Sequence, residues 1–176
     1  MDKIKLTMPS LEYGEDIFRF RQELIEANDV DSFAGCGSLR KCTNITEYLN
    51  IISKWMSANT CPDSNVPSDS YIAVRVKDNK IVGIIDFRHH IDHPILGLWG
   101  GHIGYTVRPS ERGKGIAKEM LRLNLQNFRH RKIEKIMSTC SCDNLASEKV
   151  IVSNGGVFEK EVIVDKEHIK RYRITI

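Results

Sequence analysis

Between Val107 and Leu121 the chain reads VRPSERGKGIAKEML. Gly113 and Gly115 sit among the basic side chains of Arg108, Arg112, Lys114 and Lys118, where an apolar run gives way to a helical pattern. The first backbone N–H groups of a helix have no acceptor within it, and the macrodipole adds partial positive charge there. Glycine removes the side chains that would keep a ligand away from those amides. Such a junction is a cradle for an anion, most of all a phosphate, with Arg112 and Lys114 as counter-charge. The same residues also read as a solvated basic turn that caps a helix. The glycines here follow neither G-x-x-x-x-G-K-[ST] nor G-x-G-x-x-G, so the loop is not one of the common nucleotide-binding types.

His102 lies on the strand leading into this loop. Imidazole titrates near neutrality and can accept a proton directly or through water, which makes His102 a candidate base. It reads equally as a structural histidine that anchors the strand. His89, His90 and His93 end a preceding strand and could line a site or stand in a solvated loop. Asp86 could pair with an amine or be an ordinary strand-end charge. Cys140 and Cys142 lack a second pair at ligand spacing, so no metal site is expected. The basic run Phe128–Lys132 follows a helix, where cations complement the dipole, and reads as a solvated helix end.

These residues need a frame to hold them. A chain of 176 residues with 41% apolar and 28% charged residues has enough apolar surface for one soluble domain, here taken as residues 1–176. The net charge of +3 permits an anionic ligand but argues against a nucleic-acid partner. The N-terminal MDKIKLTMPS is too polar for an export signal, and no run is long and apolar enough for a membrane span. With five irregularly spaced cysteines, the expectation is a cytoplasmic chain with reduced thiols and no membrane partner.

Along the chain the periodicity predicts a short strand at Lys3–Thr7 and a helix whose apolar face is Tyr13, Ile17, Phe20 and Leu24. A loop from Asp31 to Lys41 leads to a second helix, opened by a capping-box pattern at Asn44 and Glu47, with Ile45, Leu49, Ile52 and Met56 on its apolar face. Asn59–Asp69 reads as loop. Tyr71–Val76 and Ile81–Phe87 form a hairpin around Asp78-Asn79, and Gly101–Val107 is a third strand. A helix from Ile116 to Arg129, a strand at Lys135–Cys140 and a short helix at Ala146–Ser153 follow. Strands at Val157–Val164 and Ile169–Ile176 close the chain. This order predicts an α+β (mixed α/β) fold rather than a doubly wound sheet.

The loop also matches Gln/Arg-x-x-Gly-x-Gly/Ala through Arg112, Gly115 and Ala117, between a strand ending Val-x-Pro and the helix AKEMLRLNL. CDNLASEKVIVSNGGVFE (Cys142–Glu159) supplies an Asn-x-x-Ser helix start followed by a glycine turn and an aromatic. In these two blocks the chain resembles the GNAT superfamily of N-acetyltransferases, most of all its members with GY-x-x-RPSERGKG. The resemblance covers about Tyr71–Phe158.

The resemblance implies a central, mostly antiparallel sheet flanked by helices, with acetyl-CoA as co-substrate. By its pattern the pyrophosphate lies on Arg112, Gly113, Lys114, Gly115, Ile116 and Ala117. The pantetheine arm runs beside Tyr105, Thr106 and Val107, with Asn144 and Ser147 facing it. The implied activity is direct transfer of an acetyl group to a primary amine, of a small molecule or a peptide, in a ternary complex. A backbone N–H near Tyr105–Val107 would steady the oxyanion. Many members carry a tyrosine seven residues after the asparagine as proton donor; here that position is Ile151, which leaves Tyr105 as a substitute donor or an unassisted thiolate. A non-catalytic coenzyme A-binding module is the alternative. Cys142 as a nucleophile would make the transfer indirect. Acceptor identity is open, and so is a homodimer, which is common in the family.

Overall fold

The computed structural model describes residues 2–28 and 33–176, so the first residues of the expected Asp31–Lys41 loop lie outside the described residues. In chain order it contains β1 (Ile4–Thr7), α1 (Gly14–Ala27), α2 (Ile45–Trp55), β2 (Ser68–Arg75), β3 (Ile81–Arg88) and β4 (Ile103–Val107). Then follow α3 (Ile116–His130), β5 (Lys135–Ser141), α4 (Leu145–Val152), β6 (Val157–Val164) and β7 (Glu167–Thr175). The strands form two antiparallel sheets in the orders β1-β2-β3-β4 and β5-β7-β6. The expected α+β fold is present, with its sheet divided in two.

Helix α1 forms because Ile17, Phe20 and Leu24 recur on one face, and all three are fully buried. Asn28 stops it in the left-handed region at φ 46°. At α2 the Asn44 Oδ1 accepts the Glu47 N–H at 2.9 Å, and the Glu47 carboxylate reaches back to the Thr43 N–H at 2.8 Å. Tyr48 and Ile52 are the buried residues of α2, whereas Met56, expected on that face, is exposed.

The central strands β2 and β3 are buried on both faces. On one side Ile72, Val74, Ile81 and Ile84 pack with Phe20, Leu24 and Tyr48 of the N-terminal helices. On the other, Ala73, Val82, Ile85 and Phe87 meet Met120, Leu121 and Phe128 of α3. This burial explains the nearly continuous apolar run IVGII, where a half-exposed strand would alternate. Among the described residues no helix is long and apolar enough to cross a membrane.

The structure differs from the sequence reading in several places, of which three bear on the site. Strand β2 begins at Ser68 rather than Tyr71. Its buried Asp69 accepts from Arg131 Nη2 at 2.9 Å and sits 3.2 Å from His89 Nε2. The basic run after α3 is therefore not simply solvated: Arg131 also lies over the Phe87 ring, 5.5 Å from its centroid. Third, β4 starts at Ile103 rather than Gly101: Gly101 ends the π-helical turn Leu96–Gly100 at φ 65°, and the His102 N–H is given to Met137 O.

Arg108, the first basic residue of the loop, is 1% exposed. Its Nη2 donates to Asp16 Oδ1 at 2.7 Å, and its Nε lies 3.4 Å from Glu23 Oε1 without hydrogen-bond alignment. The guanidinium also covers Phe20, 5.6 Å from the ring centroid. Asp16 Oδ2 meanwhile accepts the Ile81 N–H at 2.7 Å, so one carboxylate ties α1 to both β3 and the end of β4. Arg108→Met should lower unfolding stability by about 3 kcal/mol, because it strands carboxylates beside the core. Urea denaturation checks this; a loss below ~1 kcal/mol would mean that the pair does not hold the helix.

Candidate functional site

Strands β4 and β5 are edge strands of the two sheets, and no ladder joins them. They are clasped at one end, where the His102 N–H donates to Met137 O at 2.8 Å and the Met137 N–H donates to His102 Nδ1 at 3.0 Å. Beyond the clasp the edges part around a cleft of about 930 Å³. Tyr105, Thr106 and Val107 line one wall, Thr139, Cys140 and Ser141 the other.

The loop after β4 closes one end. Gly113 and Gly115 have φ of 75° and 80°, in the left-handed region that favours glycine. Gly115 is the N-cap of α3 and offers no side-chain cap, whereas Asn44 and Asn144 cap α2 and α4 with their side chains. The starting amides of α3 are thus left for a ligand, and Gly113, Gly115, Ile116 and Ala117 all line the cleft.

The charge in this loop divides into separate tasks. Arg112 lines the cleft, with its Nε donating to Val107 O at 3.3 Å. Lys114 departs from the expected side-chain role: its Nζ donates to Glu111 Oε2 and Ser110 O, both at 2.9 Å, and its side chain does not line the cleft. Glu111 is buried and also accepts from Arg75 Nη1 at 2.9 Å, which anchors the loop to β2. Lys114 foremost, then Arg75, holds the Glu111 carboxyl below its usual pKa despite the burial. Lys118 and Lys149 line the cleft instead, one turn into α3 and in α4. Helical spacing from Gly115 could have pointed to Lys118.

Helix α4 faces the loop across the cleft. Asn144 Oδ1 accepts the Ser147 N–H at 2.9 Å, so this side chain caps α4 as well as lining the cleft. The Tyr105 hydroxyl lies 2.6 Å from Ser147 Oγ, which joins the β4 wall to the first turn of α4. Ile151 is fully buried in the core and brings no polar group to the cleft.

His102 stands apart from the cleft. Burial pushes its pKa down to about 4, with Arg173 as a second cause, and Nδ1 is occupied by the Met137 N–H. Asp86, across the ladder from Gly104, accepts the Gly104 N–H at 2.6 Å and pairs with Arg88 at 3.2 Å. His93 Nδ1 accepts the Ile95 N–H at 3.2 Å. Cys142 is not among the lining residues; lost hydration and the Glu161 carboxylate raise its thiol pKa. Among the described residues no group of three or more His, Cys, Asp and Glu could hold a metal ion.

The opposite end of the cleft was not legible in the sequence. Ile95, Leu96 and Trp99 line it from the π-helical turn, together with Arg88, Glu167 and Ile169. Side chains take the carbonyls of this turn in succession. Arg171 Nη1 donates to Gly97 O and Leu98 O, Thr139 Oγ1 to Trp99 O, and Arg88 Nη1 to Gly100 O and Gly101 O. Ala34 closes this end, because Gly35 presses on Gly104: a Cβ on Gly35 would lie 2.2 Å from Gly104 O.

Residues 20–157 match the family model of the acetyltransferase (GNAT) domain. Among curated proteins none matches the sequence. Of the solved structures, RimL, a ribosomal L7/L12 alpha-N-protein acetyltransferase in complex with coenzyme A, superposes with a TM-score of 0.69 at 16% identity, covering 100% of this chain and 96% of that one. The microcin C7 self-immunity acetyltransferase MccE, in complex with acetyl-CoA and AMP, gives 0.67 at 22% identity, with coverage of 100% and 94%. A GNAT-family acetyltransferase from Bordetella pertussis gives 0.66 at 15%, with coverage of 99% and 97%. At these identities the likeness is one of fold.

The clasp makes a pH prediction. The His102 imidazole takes up its proton near pH 6.5 when unfolded and near pH 4 when folded, so stability falls as pH drops through that window and levels off on either side. The full drop is about 3 kcal/mol. His102→Asn should lack this component when both proteins are unfolded with urea across the window; identical pH slopes would show that His102 does not contribute.

Proposed function

Because the chain belongs to the GNAT family of acetyltransferases, enzymes that use acetyl-CoA, we propose that it passes the acetyl group directly to a primary amine held in the same cleft. The observation that carries this reading is the uncapped start of α3, with left-handed Gly113 and Gly115, opening beside the edge of β4. The co-substrate supplies an acetyl group activated as a thioester. The amides at Gly113, Gly115, Ile116 and Ala117 hold its pyrophosphate, Arg112 and Lys118 add charge, and the edge of β4 pairs with the pantetheine arm. Lys114 contributes its amide and, through Glu111, the shape of the loop.

A backbone N–H of β4 is the donor for the developing oxyanion, since a strand edge offers a fixed dipole that needs no reorganisation. Tyr105 is the proton donor for the departing thiolate. Its hydroxyl is held against Ser147 on the cleft wall, and Ile151 carries no proton to give. His102 is a positioning residue, because its accepting nitrogen keeps β4 and β5 together. The position of Cys142 away from the cleft speaks against it as the nucleophile of an indirect route.

Thiol release from acetyl-CoA with a panel of primary amines tests the reading; coenzyme A binding without release from any amine would favour a binding module. Tyr105→Phe should lower kcat about a hundredfold and leave coenzyme A affinity unchanged. An unaltered kcat would remove Tyr105 from the reaction. Gly115→Val should weaken coenzyme A binding at least about tenfold, since it crowds the amides, and left-handed strain costs a further ~1–2 kcal/mol of stability. Unchanged affinity in calorimetry would mean that the loop is only a turn.

A further inference from the structure

The acetyl-transfer reading leaves one end of the cleft unassigned, and its chemistry is distinctive. Ile95, Leu96 and Trp99 form an apolar wall there, with Ile95 and Trp99 at 48% and 37% exposure. Exposed large apolar side chains gathered in a concave site are a recognition feature, whereas scattered ones need no explanation. The main chain of the turn is held through its carbonyls by Arg88, Thr139 and Arg171, while the Ile95 and Trp99 side chains stay exposed. Each of those carbonyls already accepts a side-chain hydrogen bond, so what this wall adds to the cleft is chiefly apolar surface.

The charge at this end is equally restricted. Lys170 and Tyr172 of β7 bond Glu148 of α4, so the alternate residues Ile169 and Arg171 face the other side of the sheet, toward the turn. Glu167 continues that face and lines the cleft. Two carboxylates line the cleft, Glu111 and Glu167. Glu111 is taken by Arg75 and Lys114, and among the described residues no cation pairs with Glu167. The positive charge of Arg88 is matched by Asp86. A polyamine, with several ammonium groups, would face a single available carboxylate.

Resting on the acetyl-transfer reading, we propose that the acceptor is a compact monoamine with an aromatic or branched apolar body, which lies against Ile95, Leu96 and Trp99 while Glu167 attracts its ammonium group. Arg171 is the positioning residue for this wall. The site thus selects against acidic amines, repelled by Glu167, and against polyamines, left with uncompensated charge.

The test is a calorimetric titration of 2-phenylethylamine and of spermidine into the full chain saturated with coenzyme A. The aryl amine should bind at least about tenfold more tightly than spermidine, the scale of discrimination that an apolar pocket supplies. Trp99→Ala and Glu167→Gln should each weaken it about tenfold, Trp99→Phe should retain it, and coenzyme A affinity should not change in any of them. Tighter binding of spermidine, no binding of the aryl amine, or indifference to Trp99→Ala would overturn the assignment. Thiol release is followed in parallel with acetyl-CoA. Aryl-amine binding at this wall without release would sink the transfer reading and keep the pocket, whereas release unaffected by both substitutions would sink the pocket and keep the transfer.

Discussion

The cleft of this protein depends on two strand edges that approach without forming a ladder. A strand edge exposes unlinked N–H and C=O groups, and proteins ordinarily cover or blunt such edges. Here the edges of β4 and β5 face each other across the cleft, held by the clasp between His102 and Met137. A full ladder between them would close the cleft, and no contact at all would leave the two sheets unregistered. A buried imidazole with a depressed pKa suits the clasp, since its neutral ring keeps a lone pair for the Met137 amide across the ordinary pH range.

The basic loop then shows how charge is allotted. Arg108 is spent on α1, and Lys114 on Glu111. Arg112 and Lys118 line the cleft. The loop must be rigid for its amides to present a fixed array, and ion pairs that reach back to β2 and α1 give that rigidity where glycines would otherwise leave the backbone free. The helix α3 is left without a side-chain cap where it opens on the cleft, while α2 and α4 receive caps from Asn44 and Asn144.

Much of this was legible in the sequence because it is local. Helical periodicity at Ile17, Phe20 and Leu24, the cap at Asn44, and the glycine spacing at 113 and 115 act within a few residues, and the element order followed from them. What escaped was long-range. Asp69 in β2 is neutralised by Arg131, 62 positions away, so a polar strand start read as loop. The Lys114 side chain is turned to Glu111, which Arg75 joins from 36 positions away only in the folded chain. The burial of His102 and its bond to Met137, 35 positions away, likewise exist only in the folded chain. The Leu96–Gly100 turn has no pattern of its own, since its conformation is imposed by side chains of β3, β5 and β7.

That last arrangement separates two properties that usually travel together. The turn is secured through its main-chain oxygens, while Ile95, Leu98 and Trp99 keep their side chains exposed. The apolar surface of the turn and the bonds that hold the turn are therefore carried by different atoms. The cradle at the other end has no such division, because Gly113 and Gly115 are fixed by backbone angle. The two halves of the cleft thus differ in what fixes them: backbone angle at the glycines of one, side-chain bonds to main-chain oxygens at the turn of the other.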